Sequence, residues 1–334
     1  MGEEVVLLGV GAEACHVGGA DFVPVAPSVR SSAHFVFALT RFLRRWTDRR
    51  GVVHAQRPDD LIPFHLRAPE LPKVVTLHGV HGIHVEARRG RAVASIYRAG
   101  EHYSLARTRA ILCVSPITRD YFQRRYPRLS PLLRLIPAGI DFDLFRPEDR
   151  TKARKRIGVS PEDKLLTFVG RFEPEKNPLQ IMEEVVALRS QHPDLCLLMI
   201  GNGALAPELR QRANLTSGAC EVREPVVQEE LARVLAASDA LVVASTHEGL
   251  PTVALEAMAC GVPVVGTPVG ILPDIVRPGV NGYLAHAPSD LRTFIEKALY
   301  GTTWVASDCR ASVRSFGWDQ VAPAILEVYR EISA

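Results

Sequence analysis

The feature that most constrains this chain is a regular alternation of short β-branched runs with longer segments of helical periodicity. Such an alternation is typical of parallel sheets whose strands are joined by crossover helices. In the first half we predict strands at 5–10, 21–26, 52–56, 73–78, 110–115 and 133–138. In the second half we predict strands at 165–170, 195–201, 240–245, 262–267 and 282–285. The pattern predicts an α/β fold with two Rossmann-like parallel-sheet domains that face each other across a cleft.

A segment rich in Pro, Gly and charge, "PAGIDFDLFRPEDRTKARKRIGVSPEDK", separates the two series of strands. This composition is typical of an inter-domain linker, and 334 residues suit two domains better than one. We predict an N-terminal domain over 1–148, a C-terminal domain over 149–315, and a last helix over 316–334 that packs back on the N-terminal domain. Ligands of open parallel sheets bind beyond the carboxyl ends of the strands, so the loops there are the candidates for a site.

The composition narrows the class of protein. No apolar run approaches the ~20 residues that a membrane span needs. The opening "MGEEVVLLGV" lacks a basic region, so we interpret it as a first strand and not as a signal peptide. Six scattered cysteines without a C-x-x-C pair are typical of reduced thiols and not of a zinc site. We expect a cytoplasmic protein without a nucleic-acid partner.

The charge is unevenly distributed along the chain. Residues 1–150 hold 22 Lys and Arg against 15 Asp and Glu, a balance of +7, and the remainder holds 18 against 22, a balance of −4. A basic first half favours an anionic partner, either a phosphorylated acceptor or an anionic membrane at the inner face of the cell, although an Arg-rich soluble surface explains it equally well. The basic, amphipathic segment 32–50 fits a membrane-surface helix or, with better support, an ordinary crossover helix.

The stretch "EGLPTVALEAMACGVPVVGTPVG" (248–270) predicts a short buried helix with an anion site at its start. Pro251 suits the first turn, and Gly261 ends the helix. The backbone amides around 249–252 therefore point out of a helix N-terminus at the carboxyl end of a strand, where they can bind phosphate.

The same helix carries a glutamate in its middle. The side chain of Glu256 leans back toward the helix start and needs hydrogen-bond donors to offset its burial. A pair of ribose hydroxyls would supply two donors, and a structural salt bridge explains the residue equally well.

A second signal lies in "FVGRFEPEKNP" (168–178), where Arg171 and Lys176 follow the first strand of the same half. Two cations at strand ends could neutralise a diphosphate. Charged loops are common, so this loop is a weak signal alone. Together with the helix start at 249–252 it indicates a binding site.

These motifs carry a resemblance. The G-R-x(4)-K turn, and the E-x(7)-E stretch followed by "AMACGVPVVGT", resemble the donor domain of the retaining glycosyltransferases of family 4 (glycosyl transferases group 1), which have the GT-B fold. The resemblance implies that Arg171 and Lys176 bind the donor diphosphate, that Glu256 binds the ribose and that Glu248 faces the donor sugar. It also implies further donor contacts at Gly170, Gly201, Gly249, Leu250, Pro251, Thr252 and Gly270.

On the acceptor side the resemblance is weaker. "TLHGVHG" (76–82) ends a strand with His78, and the family places a histidine there beside the reacting sugar, which ranks it with Arg171, Lys176 and Glu248 as a catalytic candidate. His81 and the pair Gly18 and Gly19 are candidates for acceptor contacts. A strand-like segment follows these glycines, so the first helix of the family is expected to be shortened or missing.

The resemblance implies a function. We expect transfer of a hexosyl group, with retained configuration, from a UDP-, GDP- or ADP-linked sugar to a hydroxyl of a glycan, lipid or small molecule. It implies neither a metal site nor a cofactor other than this nucleotide-sugar co-substrate. Two alternatives stay open at this point: an enzyme like the UDP-sugar 2-epimerases, and a non-catalytic subunit that binds sugar nucleotides.

Overall fold

The computed structural model describes residues 4–17, 20–29, 31–47 and 50–333. The chain divides into two compact units. The first unit contains the residues up to Val114, then Thr118–Ile136 and the residues from Ile325 onward, and the second contains Ser115–Ile117 and Pro137–Ala324. This division between residues 136 and 137 lies earlier than the sequence-based boundary at 148/149, which stays a prediction.

The first unit contains two sheets. The three-stranded sheet has the order β1-β3-β2 and consists of β1 (Val6–Val10), β2 (Cys15–Val17) and β3 (Ala20–Ala26). β1 pairs in parallel with β3, whereas β2 pairs with β3 in the antiparallel sense. The described part of the connection from β1 to β3 therefore holds a short strand and no helix.

The other sheet of this unit is parallel and has the order β4-β5-β6-β7. Its strands are β4 (Val53–Ala55), β5 (Lys73–Leu77), β6 (Ala110–Cys113) and β7 (Leu133–Leu135). The helices are α1 (Ser32–Phe42), α2 (Ile62–Arg67), α3 (His81–Leu105) and α4 (Pro116–Arg125), with 3-10 turns at Pro58–Leu61 and Pro127–Leu132. The strands β5 and β6 are buried along their whole length, as apolar runs covered on both faces should be.

Helix α1 ends earlier than the basic amphipathic segment 32–50. It begins after Ser31, whose hydroxyl accepts a hydrogen bond from the backbone N–H of His34 at 3.2 Å. Its apolar stripe packs inward, since Leu39 and the following Leu43 are buried in a cluster with Phe64. This packing is what a crossover helix requires.

The second unit is built on one six-stranded parallel sheet of order β10-β9-β8-β11-β12-β13. The strands are β8 (Lys164–Val169), β9 (Leu195–Ile200), β10 (Cys220–Arg223), β11 (Ala240–Val243), β12 (Val264–Gly266) and β13 (Gly282–Leu284). The helices after residue 137 are α5 (Arg150–Ile157), α6 (Pro178–Leu188), α7 (Ala206–Ala213), α8 (Gln228–Ala237), α9 (Thr252–Ala259), α10 (Leu272–Ile275), α11 (Asp290–Tyr300), α12 (Ala306–Ser312) and α13 (Trp318–Ser333), with 3-10 turns at Pro174–Lys176 and Arg314–Phe316. Buried side chains cover both faces of the sheet. The predicted α/β class is confirmed.

All eleven predicted strands occur, and β2 and β10 were missed. Helix α13 contains residues of both units. Its last residues belong to the first unit, within which Tyr329 hydrogen-bonds His54 and Glu331 lies 4.0 Å from Arg134. Within the described ranges, no helix has the length and apolar character needed to cross a membrane.

Candidate functional site

Hydrogen bonds connect the loop that follows β8 to the ends of the neighbouring strands. The N–H of Gly170 donates to the carbonyl of Ile200 at 3.0 Å. Asn177 closes the loop in a left-handed conformation (φ 51°), and its side-chain amide donates to the carbonyl of Ala244 at 2.8 Å. Since Ala244 directly follows β11, these bonds bring residues 170–177 to the carboxyl end of β11.

The two predicted cations of this loop differ in environment. The side chain of Arg171 is 59% exposed and its Nη2 lies 3.4 Å from Oε1 of Glu175. The side chain of Lys176 is only 16% exposed and forms an ion pair with Glu248, itself 17% exposed. Each cation therefore has a carboxylate partner, and diphosphate binding by the two cations stays a prediction.

Glu248 is held by a second donor. The hydroxyl of the buried Ser245 donates to Oε1 of Glu248 at 2.9 Å, the same oxygen that Lys176 approaches. The structure thus brings Lys176 and Glu248 together across 72 residues of sequence. The other carboxylate oxygen, Oε2, is not engaged by either donor and can accept from a sugar hydroxyl.

The start of α9 lies directly after Glu248. Pro251 precedes the first helical residue, Thr252, and its carbonyl accepts from the N–H of Ala254 at 3.0 Å. Among the described residues, the N–H groups of Gly249 and Leu250 have no acceptor. These N–H groups and the dipole of α9 are available to an anion, and the anion site at 249–252 stays a prediction.

Two glycines are required by close packing around these loops. Gly270 has φ +56°, and a Cβ there would lie 2.8 Å from Pro251 Cδ and 2.9 Å from the carbonyl oxygen of Gly249. A Cβ on Gly201 would lie 1.9 Å from the carbonyl oxygen of Gly170. Both glycines therefore shape the loops that carry the predicted donor contacts.

Glu256 is the unusual acid of the site. Burial raises its pKa to about 7, and within the described part of the chain it has no hydrogen-bond or ion-pair partner. The salt-bridge alternative therefore finds no support. A carboxylate without a partner, one turn inside the helix, has both oxygens available for a ligand's hydroxyl groups.

The catalytic candidate of the first unit is His78, which follows β5. Its Nε2 lies 2.7 Å from Oε1 of Gln56, the residue that follows β4. Burial, and secondly the charge of His81, lower the pKa of His78. The candidates Gly18 and Gly19 lie outside the described residues, and His81 begins α3.

Three contributing residues were missed from the sequence: Ser245, Glu175 and Gln56. Ser245 could have been found, because it ends the predicted strand 240–245 three residues before Glu248. Gln56 likewise ends the predicted strand 52–56, and the next predicted strand ends in His78. Glu175 carries no signal of its own, since acidic residues are common in such loops. Within the described residues, no group of three or more His, Cys, Asp or Glu could hold a metal ion.

Family models match both halves of the chain. The model described as "Glycosyl transferases group 1" matches residues 149–300. The model described as "Glycosyltransferase Family 4" matches residues 3–144. The two matches thus cover both predicted domains, including every residue of the donor loops described above.

Known proteins resemble the chain in sequence and in fold. A D-inositol 3-phosphate glycosyltransferase of Actinosynnema mirum is 30% identical over 246 residues, which cover 69% of this chain and 59% of that relative's length. The solved sucrose-phosphate synthase of Thermosynechococcus elongatus has a TM-score of 0.80 at 21% identity, covering 98% of this chain and 88% of that one. Anabaena HepE, solved in complex with UDP-glucose, has a TM-score of 0.76 at 16% identity, covering 98% and 100%. The chain belongs to the GT-B glycosyltransferases of the group 1/family 4 type.

Proposed function

We propose that the protein is a retaining glycosyltransferase that moves a hexosyl group from a nucleotide-diphosphate sugar to an acceptor hydroxyl. The observation that carries the proposal is the group formed by Lys176, Glu248, Glu256 and the helix start at 249–252. The ion pair of Lys176 with Glu248 and the N–H groups of Gly249 and Leu250 lie at the carboxyl ends of β8 and β11, and the carboxylate of Glu256 follows one turn inside α9. A nucleotide sugar presents phosphate, ribose and sugar hydroxyls at once, and it matches all three kinds of group.

In this reaction the bond between sugar C1 and the diphosphate oxygen breaks while the acceptor oxygen bonds to C1 from the same face. The acceptor proton passes to the departing phosphate oxygen, so no protein base is required. The protein must stabilise the negative charge that grows on the diphosphate, which Arg171, Lys176 and the amides at 249–252 can do. Glu256 accepts from the two ribose hydroxyls, and Glu248 and His78 bind hydroxyls of the transferred sugar. Gly170, Gly201 and Gly270 let the backbone approach the donor.

This chemistry needs no metal ion, because protein cations and amides stabilise the negative charge on the departing diphosphate. We place the protein in the cytoplasm, where nucleotide sugars are made. The donor base stays open among uridine, guanosine and adenosine. UDP-sugars come first in a test panel, because HepE was solved with UDP-glucose.

Release of nucleoside diphosphate, with and without acceptor, separates this proposal from its alternatives. A transferase releases nucleotide faster when an acceptor is present and yields a glycoside. An enzyme like the UDP-sugar 2-epimerases changes the sugar without an acceptor. A non-catalytic subunit binds the donor and releases nothing. D-inositol 3-phosphate is a first acceptor to try, since the 30% identical relative is named as a D-inositol 3-phosphate glycosyltransferase.

For the acceptor side we propose an anionic partner, either a phosphorylated small molecule or a lipid acceptor on an anionic membrane. The support is the +7 balance of residues 1–150 and the outer surface of α1. Phe37 is 69% exposed there, and it borders a groove of about 600 Å³ together with Arg41, Arg45 and Trp46. An exposed ring among arginines is the combination that binds to the interface of an anionic bilayer.

We expect the protein to sediment with anionic but not with neutral liposomes, and high salt to abolish this binding. Each arginine near an anionic surface contributes about 1 kcal/mol, which salt screens. The double variant Arg41→Glu with Arg45→Glu should reduce binding at least tenfold. The matched control is Arg124→Glu with Arg128→Glu, which makes the same charge change elsewhere in the first unit. An equal loss of liposome binding in both double variants, or no binding at any salt, would contradict the membrane proposal. The phosphorylated small molecule would then be the remaining acceptor.

A further inference from the structure

Strands β4 and β5 present two polar pairs on one face. His54 Nε2 lies 2.7 Å from Thr76 Oγ1, and Gln56 Oε1 lies 2.7 Å from His78 Nε2. Both pairs are 22 residues apart in sequence, and the members of each strand are two residues apart. Residues two apart on a strand point to the same side of the sheet, so the two pairs form successive rungs at the carboxyl ends of β4 and β5.

The second rung determines the position of a proton. The Oε1 atom of a glutamine amide can only accept a hydrogen bond. Nε2 of His78 therefore carries the hydrogen in this arrangement, and in the neutral ring Nδ1 keeps its lone pair. Among the described residues, Nδ1 of His78 has no partner.

The surroundings of His78 favour the neutral ring. The titratable groups that face it are His81 on α3 and His54 on β4, and His54 in turn bonds the hydroxyl of Tyr329 on α13. Burial, with the charge of His78 as a smaller cause, lowers the pKa of His54 to about 4. No carboxylate in the described ranges forms an ion pair with His78, so no negative charge opposes the lowering of its pKa by burial.

We propose that Gln56 is a positioning residue that holds His78 as the neutral Nε2–H tautomer, so that Nδ1 is left as a hydrogen-bond acceptor for a substrate hydroxyl. The tautomer follows from the contact with Gln56, whereas the identity of the hydroxyl group rests on the proposed function. His78 then binds a sugar hydroxyl that donates to it, and it does not protonate the leaving group.

The substitution Gln56→Glu tests the proposal. A carboxylate at this position faces the Nε2–H of His78 and stabilises the imidazolium ion, which raises the pKa of His78 by about one to three units. The charged ring donates from both nitrogens and loses its acceptor. Transfer activity at neutral pH should therefore fall at least tenfold in this variant and recover as the pH is raised above the new pKa of His78.

The direct readout is the ¹⁵N NMR spectrum of histidine-labelled, donor-free full-length protein, in which the His78 signals are assigned by their loss in His78→Asn. We expect the Nε2–H pattern in the unaltered protein at pH 7, and an upward-shifted titration in Gln56→Glu. The matched control Thr76→Val removes the other rung and should leave the His78 signals unchanged. Gln56→Met keeps the side-chain volume without the acceptor, and it should lose the fixed tautomer if Gln56→Glu does not fold.

An Nδ1–H pattern or a charged ring at pH 7 in the unaltered protein would overturn the proposal. So would a His78 titration that does not move in Gln56→Glu. If the NMR results are as expected but no sugar nucleotide is turned over, then the proposed function fails and the role of Gln56 in fixing the tautomer stands.

Discussion

Replacing Arg171 by Ala is expected to lower turnover by about 10- to 1000-fold, the range for lost electrostatic stabilisation of a transition state. The free energy of unfolding should change little, because this side chain is 59% exposed and its ion pair with Glu175, at 3.4 Å, lies at the surface. Lys176→Ala should lower turnover by a similar factor and should also destabilise the fold. It leaves Glu248, only 17% exposed, without its cation.

Steady-state kinetics and denaturant unfolding of both variants measure these effects. The matched control is Arg292→Ala, because that arginine is 53% exposed and pairs with Glu184 on the same unit. The control should keep normal turnover. If both Arg171→Ala and Lys176→Ala also turn over normally, these residues do not act on the leaving group.

Glu256→Gln is expected to weaken donor binding without weakening the fold. The amide keeps the shape of the side chain, but it replaces one acceptor oxygen by a donor, so the two ribose hydroxyls lose a partner. Loss of hydrogen bonds to a charged group costs about 1.5 to 3 kcal/mol, or roughly 10- to 150-fold in affinity. Donor titration by calorimetry or thermal shift measures the change.

The stability of Glu256→Gln tests whether lost ribose contacts, and not a weakened fold, cause the lower donor affinity. Burial raises the pKa of Glu256 from 4.5 to about 7, so the folded state holds this proton more tightly than the unfolded state. The associated stability is complete below pH 4.5 and is lost as the pH rises to about 7. At pH 8, the free energy of unfolding of Glu256→Gln should therefore exceed that of the original protein by about 1 to 3 kcal/mol. A variant that unfolds, with donor affinity unchanged per folded molecule, would show that Glu256 has a structural role.

Donor affinity should also depend on pH through this residue. The carboxylate form binds the ribose, and the protonated fraction grows below pH 7, so the apparent Kd should rise roughly five- to tenfold per pH unit there. Glu256→Gln lacks this group and serves as the control for the titration of the donor phosphates. An identical pH dependence in both proteins would remove Glu256 from the binding step.

The strands and the donor loops could be predicted because their signals are local. Apolar runs bounded by Gly and Pro specify strands such as β8 and β11, and the spacing from Glu248 to Glu256 places one acid before a helix and one inside it. The strand β10 was missed because "CEVR" is short and half-polar, as an edge strand can be.

Other features depend on contacts that no short pattern encodes. The pairing of Lys176 with Glu248 and that of Gln56 with His78 join segments that follow neighbouring strands, so they depend on the order of the strands in each sheet. Among the described residues Glu256 has no partner, so the structural salt bridge finds no support, and the ribose contact stays a prediction. Likewise, α1 ends at Phe42 although the basic pattern continues to residue 50.

The most direct test of the central claim is NMR analysis of the products that the full-length protein forms from UDP-, GDP- and ADP-linked α-sugars with and without a hydroxyl acceptor. Our account predicts that nucleoside diphosphate is released in step with a glycoside of the same α configuration, without added metal, and that Arg171→Ala slows both together. A β-configured glycoside, or a sugar that changes configuration without any acceptor, would contradict it.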